Sequence, residues 1–160
     1  MTKYEKFLIG WEEWCALPDL HLPAIKAKID TGARTSAIHA FDIKTYHHHH
    51  ELWVKFCIHP LQKNKKLTKR CKAKVIDKRY VMSSNGHKES RYVIETRLTM
   101  NGHTWPIEVT LSNRDPLAFR MLLGREAMCG HVIIDPMKSM LTKKFTSKKA
   151  YELYALKSTK

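Results

Sequence analysis

The stretch "KAKIDTGARTSA" (residues 26–37) decides the fold. Ile25, Ala27 and Ile29 alternate with Lys26 and Lys28, the period of a half-buried strand. The strand stops abruptly on Asp30-Thr31-Gly32-Ala33. Asp and Gly are common turn residues, so an ordinary strand exit is one explanation. The other is a catalytic aspartate lifted clear of a sheet by a glycine turn.

The surrounding sequence is built of strands. Leu52, Val54, Phe56 and Ile58 alternate against Trp53, Lys55 and Cys57, and Tyr92, Ile94, Thr96, Leu98 and Met100 alternate against Arg91, Glu95 and Arg97. Trp105, Ile107, Val109 and Leu111 repeat the pattern, and Asn85-Gly86 and Asn101-Gly102 mark tight hairpin turns. Helical periodicity is confined to "GREAM" after Leu123 and to about Lys148 to Leu156. The expected fold is mostly β, a small closed barrel of hairpins. Residues 1–142 form one barrel domain in this reading, and residues 143–160 form a basic tail.

Composition narrows the function classes. The chain has 160 residues, 43% hydrophobic and 28% charged, as in a globular protein. No apolar run approaches the roughly 18 residues of a membrane span, and the N-terminus lacks a secretory pattern, so a cytoplasmic protein off the membrane is expected. Cys15, Cys57, Cys71 and Cys129 form no C-x-x-C pair and read as buried free thiols. Twenty-nine Lys and Arg against 15 Asp and Glu give a net charge of +14, which favours acidic partners. Much of that excess lies in residues 62–74, read as a mobile loop, and in the tail. Nucleic acid is a less favoured partner, because Trp11, Trp14, Trp53 and Trp105 mostly occupy core-like strand positions.

Asp30-Thr31-Gly32-Ala33, the Ser83-Ser84-Asn85-Gly86-His87 tip, the hairpin "RLTMNGHTWPIEVTL" (97–111) and Leu122-Leu123-Gly124-Arg125 stand in the order found in retropepsin-like aspartic peptidases. The chain resembles the bacterial retropepsin-like group labelled "ATP-dependent zinc protease", often encoded near an ATP-grasp ligase that adds glutamates to a ribosomal protein. The resemblance runs from about Leu8 to Leu141 and also rests on "GWEEWCALPDL", "WPIEVTLSNRD" and "FRMLLGREA". It implies the acid-protease barrel and an aspartic endopeptidase that needs no cofactor and no metal.

Hydrolysis by carboxylates requires two of them sharing a proton, one ionised to activate water and one protonated. The sequence has one Asp-Thr-Gly. A two-fold homodimer would set Asp30 against the same residue of a second copy. The resemblance then implies that Thr31 pins the opposite loop, that Gly32 offers its N–H to the carboxylates, and that Ala33 leaves room for substrate. Ser84, Asn85 and Gly86 would belong to a flap over a protein or peptide substrate, acidic or glutamate-tailed, while Leu122, Leu123, Gly124 and Arg125 support the aspartate turn from behind. Where viral retropepsins carry an acid after the motif, this chain has Arg34. Either Arg34 pairs with Glu126 in a charge swap, or it faces the cleft and selects acidic side chains.

Two rival classes are weaker. A zinc hydrolase would show H-E-x-x-H on a helix, but His50-Glu51-Leu52-Trp53-Val54 has Val in the last position and lies on a strand pattern. Tyr46 to His50 with Cys57 and His59 could capture zinc adventitiously, or reach an open site with Asp42. No phosphate-binding G-x-x-x-x-G-K-[ST] loop is present. A non-catalytic basic module on acidic or ribosomal partners is the remaining alternative.

Overall fold

The structure, a computed structural model, describes residues 5–82, 85–113 and 118–158. Ser83 and Ser84 of the expected flap tip, and Arg114 and Asp115 at the end of the "WPIEVTLSNRD" string, lie outside the described residues. The strands are β1 (Phe7–Ile9), β2 (Glu12–Leu17), β3 (Leu22–Asp30), β4 (Ser36–His39), β5 (Phe41–His48) and β6 (Glu51–Ile58). They continue with β7 (Lys69–Met82), β8 (Lys88–Met100), β9 (His103–Ser112), β10 (Met121–Gly124) and β11 (Val132–Ile134). Among the described residues, two α-helices, α1 (Arg125–Met128) and α2 (Ser147–Ser158), complete the secondary structure with a 3-10 turn at Pro18–Leu20.

The fold is mostly β, as the alternating stretches predict. One nine-stranded sheet runs β2-β3-β10-β4-β9-β8-β7-β6-β5, and β2 returns to pair with β8 through Ala16 and Thr99. That contact draws β2, β3, β10, β4, β9 and β8 into a ring, from which β7, β6 and β5 continue as an open flange. Ile25, Ala27, Ile94, Leu98, Ile107, Val109, Leu111, Met121 and Leu123 fill the ring, because period-2 alternation sends one side of each strand inward. Asn101 (φ 54°) and Gly102 (φ 77°) make the β8–β9 turn in the left-handed conformations that this pair tolerates.

β1 and β11 pair in parallel as a separate two-stranded sheet within the same chain. The chain then doubles back over the β1–β2 corner. Trp11 N–H donates to the Lys138 carbonyl (2.8 Å), and Met140 N–H donates to that of Glu12 (2.9 Å). The approach is close enough that a Cβ on Gly10 would lie 2.0 Å from the Lys138 carbonyl oxygen. Glu13, fully buried, anchors the corner: its carboxylate accepts from the N–H groups of Gly10 (2.7 Å), Leu141 and Thr142 (3.0 Å each) and from the Thr142 hydroxyl (3.0 Å).

Three expectations need correction. Lys69 to Lys74 is the first half of β7 and not loop, because Arg70, Lys72 and Lys74 occupy the outward positions of a strand whose Cys71 and Ala73 point inward. The helix expected at about Lys148 to Leu156 in the basic C-terminal stretch is α2, which packs on β3 with Ala150 and Tyr154 buried and the Tyr154 hydroxyl donating to the Ala24 carbonyl. Of the tryptophans, Trp14 and Trp105 are buried, whereas Trp11 is exposed and Trp53 half-buried. The four cysteines are free; Cys15 and Cys71 are buried, and burial pushes each thiol pKa up to about 12. Cys129, by contrast, is exposed. Among the described residues no helix is long and apolar enough to cross a membrane.

His131, beside β11, stacks on Trp105 with centroids 4.2 Å apart and planes at 9°. Burial, reinforced by nearby His103, holds the His131 pKa below the ordinary histidine value. Below about pH 6.5 the unfolded chain therefore binds more protons than the folded one. Stability from this site is complete above that value and declines as the pH falls towards the folded pKa. Thermal midpoints taken from about pH 7.5 down to about pH 5 should fall, and His131→Phe should flatten the decline. An identical slope in the variant would remove His131 as its source.

Candidate active site

The end of β3 is fixed by its neighbours before it reaches Asp30. Ile29 N–H donates to the Trp11 carbonyl (2.9 Å), tying the strand to the corner that Glu13 holds. On its other side β10 runs parallel to β3, with Leu122 opposite Lys28, Leu123 opposite Ile29 and Gly124 opposite Asp30. Leu123, opposite Ile29, is buried.

Asp30 is half-buried, and Thr31, Gly32 and Arg34 are exposed around it. Gly32 N–H donates to Asp30 Oδ1 (3.0 Å), and Ala33 N–H donates to the Asp30 carbonyl (3.2 Å). Gly32 does not use the left-handed region; the glycines that do are Gly86, Gly102 and Gly130. Its lack of a side chain matters for another reason, since a Cβ there would lie 3.3 Å from Asp30 Oδ1.

The start of α1 closes the turn from below. Arg125 N–H donates to the Ala33 carbonyl (2.8 Å) and Glu126 N–H to that of Arg34 (3.2 Å). The Arg125 guanidinium reaches the carbonyls of Thr31 and Gly32, each at 3.4 Å. Gly124 N–H donates to Ser36 Oγ (3.0 Å), and a Cβ on Gly124 would meet the Thr35 carbonyl carbon at 2.7 Å and Ser36 N at 2.9 Å. Glycine is therefore required where two backbones cross.

Arg34 Nε meets Glu126 Oε1 at 2.6 Å, which makes the charge swap the arrangement that this fold adopts. The Arg34 hydrogen bond, with the charges of Arg34, Arg79 and Arg125, holds the Glu126 pKa below the ordinary carboxylate value. Arg79 bridges Asp77 (2.6 Å) and Glu108 (2.8 Å). Behind the turn, Thr35, Ser36, Glu95, Glu108 and Glu126 line a pocket of about 260 Å³.

The structure thus brings Asp30, Thr31, Gly32, Ala33 and Arg34 together with Leu122, Leu123, Gly124 and Arg125. Asn85 and Gly86 are exposed at the tip of the β7–β8 hairpin, where Gly86 has φ 85°. Among the described residues no group of three His, Cys, Asp or Glu side chains is arranged to hold a metal ion. Sequence reasoning missed Ser36 and Glu13. Ser36 sits six residues after the aspartate and was findable as a local polar partner, whereas Glu13 acts through residues 141 and 142.

The chain matches the model of the RimB-like family, described as retropepsin-like aspartic endopeptidase RimB, over residues 8–145. It is 49% identical over 155 residues to a probable alpha-L-glutamate ligase of Shewanella halifaxensis, covering 97% of this chain and 34% of that protein. It is 53% identical over 131 residues to a protein of the same name from Desulfotalea psychrophila, covering 82% of this chain and 28% of that one. The chain spans about a third of the length of these curated relatives. A crystal structure of protein Lpg0085 of Legionella pneumophila, of unknown function, shares the fold with a TM-score of 0.70 at 24% identity, over 87% of this chain and 100% of that one.

These relatives correct the expected function. An aspartic endopeptidase, with the hydrolase and protease descriptors attached to it, is not what they are named for: the curated names denote glutamate ligases. Both the family description and the relatives' names are enzyme names.

Proposed function

Because this chain belongs to the RimB-like retropepsin-like family, and its curated relatives are named alpha-L-glutamate ligases, we propose that it is the polypeptide-handling part of an alpha-L-glutamate ligation system. It holds an acidic, glutamate-bearing polypeptide at the Asp30 turn. The observation that carries this is the ligase name shared by relatives 47–53% identical over at least 82% of the chain. The net charge of +14 agrees with it, because a glutamate-rich chain is drawn to a cationic protein. At the turn, Arg125 is anchored on carbonyls and forms no ion pair with a carboxylate among the described residues, so its charge is available to an incoming glutamate.

The finer enzyme class is a second reading, favoured by one observation: a half-buried aspartate oriented by Gly32 N–H on a turn of the family's type. In it the site is of hydrolase type and acts on the same glutamate-bearing polypeptide. The ring of strands corresponds to the acid-protease barrel, and the working compartment is the cytoplasm. A second copy of the chain is the partner that would supply another carboxylate. Exposed Leu8 and Ile133, opposite each other on β1 and β11, offer an apolar face for it.

The test is backbone amide mapping of the full chain titrated with a peptide ending in four α-linked glutamates, followed by mass spectrometry of the peptide. Shifts should concentrate at residues 30–34 and 125. Shifts confined to other surfaces, or none, overturn the assignment. A shortened peptide, lost with Asp30→Asn, supports the hydrolase class; an intact peptide overturns that class and leaves the binding role.

A further inference from the structure

We propose that the outward face of β5, β6 and the first half of β7 is a binding platform for single-stranded nucleic acid. This face belongs to the flange beyond the ring, away from the Asp30 turn in the sheet order. Cross-strand register sorts its side chains into rows. Lys44 lies opposite Lys55, and Lys55 opposite Lys72; in the next row Tyr46 lies opposite Trp53, and Trp53 opposite Lys74. Arg70, opposite Cys57, extends the cationic side. The reverse face of β6 and the first half of β7 is core, with Val54, Phe56, Ile58, Cys71 and Ala73 buried.

Like charges directly opposite each other on neighbouring strands oppose pairing. Strands lie about 4.8 Å apart, so Lys44, Lys55 and Lys72 crowd three ammonium groups into roughly 10 Å. Among the described residues, the single ion pair that these rows make is Lys74 with Glu51, at 2.7 Å. The three-lysine row is thus left to an external anion. Beside it, Tyr46 and Trp53 are half-buried and keep ring surface in solvent; the Lys55 ammonium sits 5.3 Å from the Tyr46 ring and His48 packs edge-on against Trp53.

A cationic row flanking an aromatic row matches a strand whose phosphates and bases run side by side: the phosphates take the lysines and the bases stack on the rings. A glutamate chain would use the lysines but has nothing to place on Tyr46 and Trp53. Histidines at 49 and 50, both at positive φ, turn the β5–β6 hairpin at one end of the face. The lysine-rich 62–69 connection prolongs the field at the other.

The experiment titrates the full chain into a labelled ten-nucleotide uridine oligomer at several salt concentrations, with a ten-nucleotide thymidine oligomer and a glutamate decamer in parallel. Oligonucleotide affinity should fall with salt, with a log–log slope of about −0.7 per phosphate held. Lys55→Gln with Lys72→Gln should make that slope shallower by about one to one and a half. Trp53→Ala should weaken binding about tenfold at unchanged slope, and Trp53→Phe should restore most of it. Preference for uridine over thymidine identifies RNA; equal binding identifies single strands generally, and both support the platform. Absence of oligonucleotide binding, unchanged binding by the lysine pair variant, or capture of the glutamate decamer alone at these lysines overturns it. Amide shifts at residues 30–34 are read separately, so failure here leaves the Asp30 assignment standing.

Discussion

Glu13→Ala should lower the unfolding free energy by about 3–5 kcal/mol, because removing one side of a buried charged network strands the groups left behind. The Glu13 carboxylate accepts four hydrogen bonds, three from backbone N–H groups and one from a hydroxyl. Alanine returns none of them, and the corner is too closely packed to admit water readily, as the contact at Gly10 shows. Urea denaturation should show a lower midpoint at unchanged m-value, the signature of lost stability without a new denatured state. Glu13→Gln should fall between, since its amide oxygen still accepts while its NH₂ faces other donors. A change under about 1 kcal/mol in the alanine variant would mean that the strap over the corner is held elsewhere. The consequence reaches the site, because the Trp11 carbonyl in this corner takes the Ile29 N–H one residue before Asp30.

Gly124→Ala should damage the site more than its size suggests. The added methyl has to displace the Thr35–Ser36 backbone, with which it would collide at 2.7–2.9 Å, and backbone in a sheet yields less than a side chain. A stability loss of about 1–3 kcal/mol is expected from such overpacking. Moving Ser36 also breaks the bond from Gly124 N–H to its hydroxyl and shifts the Ala33 and Arg34 carbonyls off the first turn of α1. Binding of a glutamate-tailed peptide should therefore weaken about tenfold even in the fraction that remains folded, as a misplaced contact commonly costs that much. Full stability together with undiminished binding would show that β10 does not position the Asp30 turn.

Legibility in the sequence followed the range of the interactions. Strands β6, β8 and β9 announced themselves because alternation is a local property, and Val54, Phe56, Leu98 and Val109 fall inside as their spacing requires. The Asp30 turn was visible for the same reason. The Arg34–Glu126 pair spans 92 positions, yet it was accessible as one alternative because an arginine stood where an acid was expected. Glu13 was opaque: three of its four hydrogen bonds come from residues 128 and 129 positions away, and nothing near Glu13 in the chain marks it as buried. Lysines at alternate positions of β7 disguised a strand as a loop, since charge dominates composition while burial is carried by Cys71 and Ala73. The resemblance brought in a glutamate-adding ligase as a neighbour only; that the relatives themselves carry the ligase name could not be read from these residues, because about two thirds of the relatives' length lies outside the matched part.

The central claim is that the Asp30 turn receives glutamate-bearing polypeptide. It is tested most directly by comparing dissociation constants for two labelled peptides, identical except for a tail of four α-linked glutamates or four glutamines, on the chain and on Arg125→Gln. A glutamate preference of about tenfold or more, falling towards parity in the variant, is the predicted result. Equal dissociation constants for the two tails on the unaltered chain would contradict it.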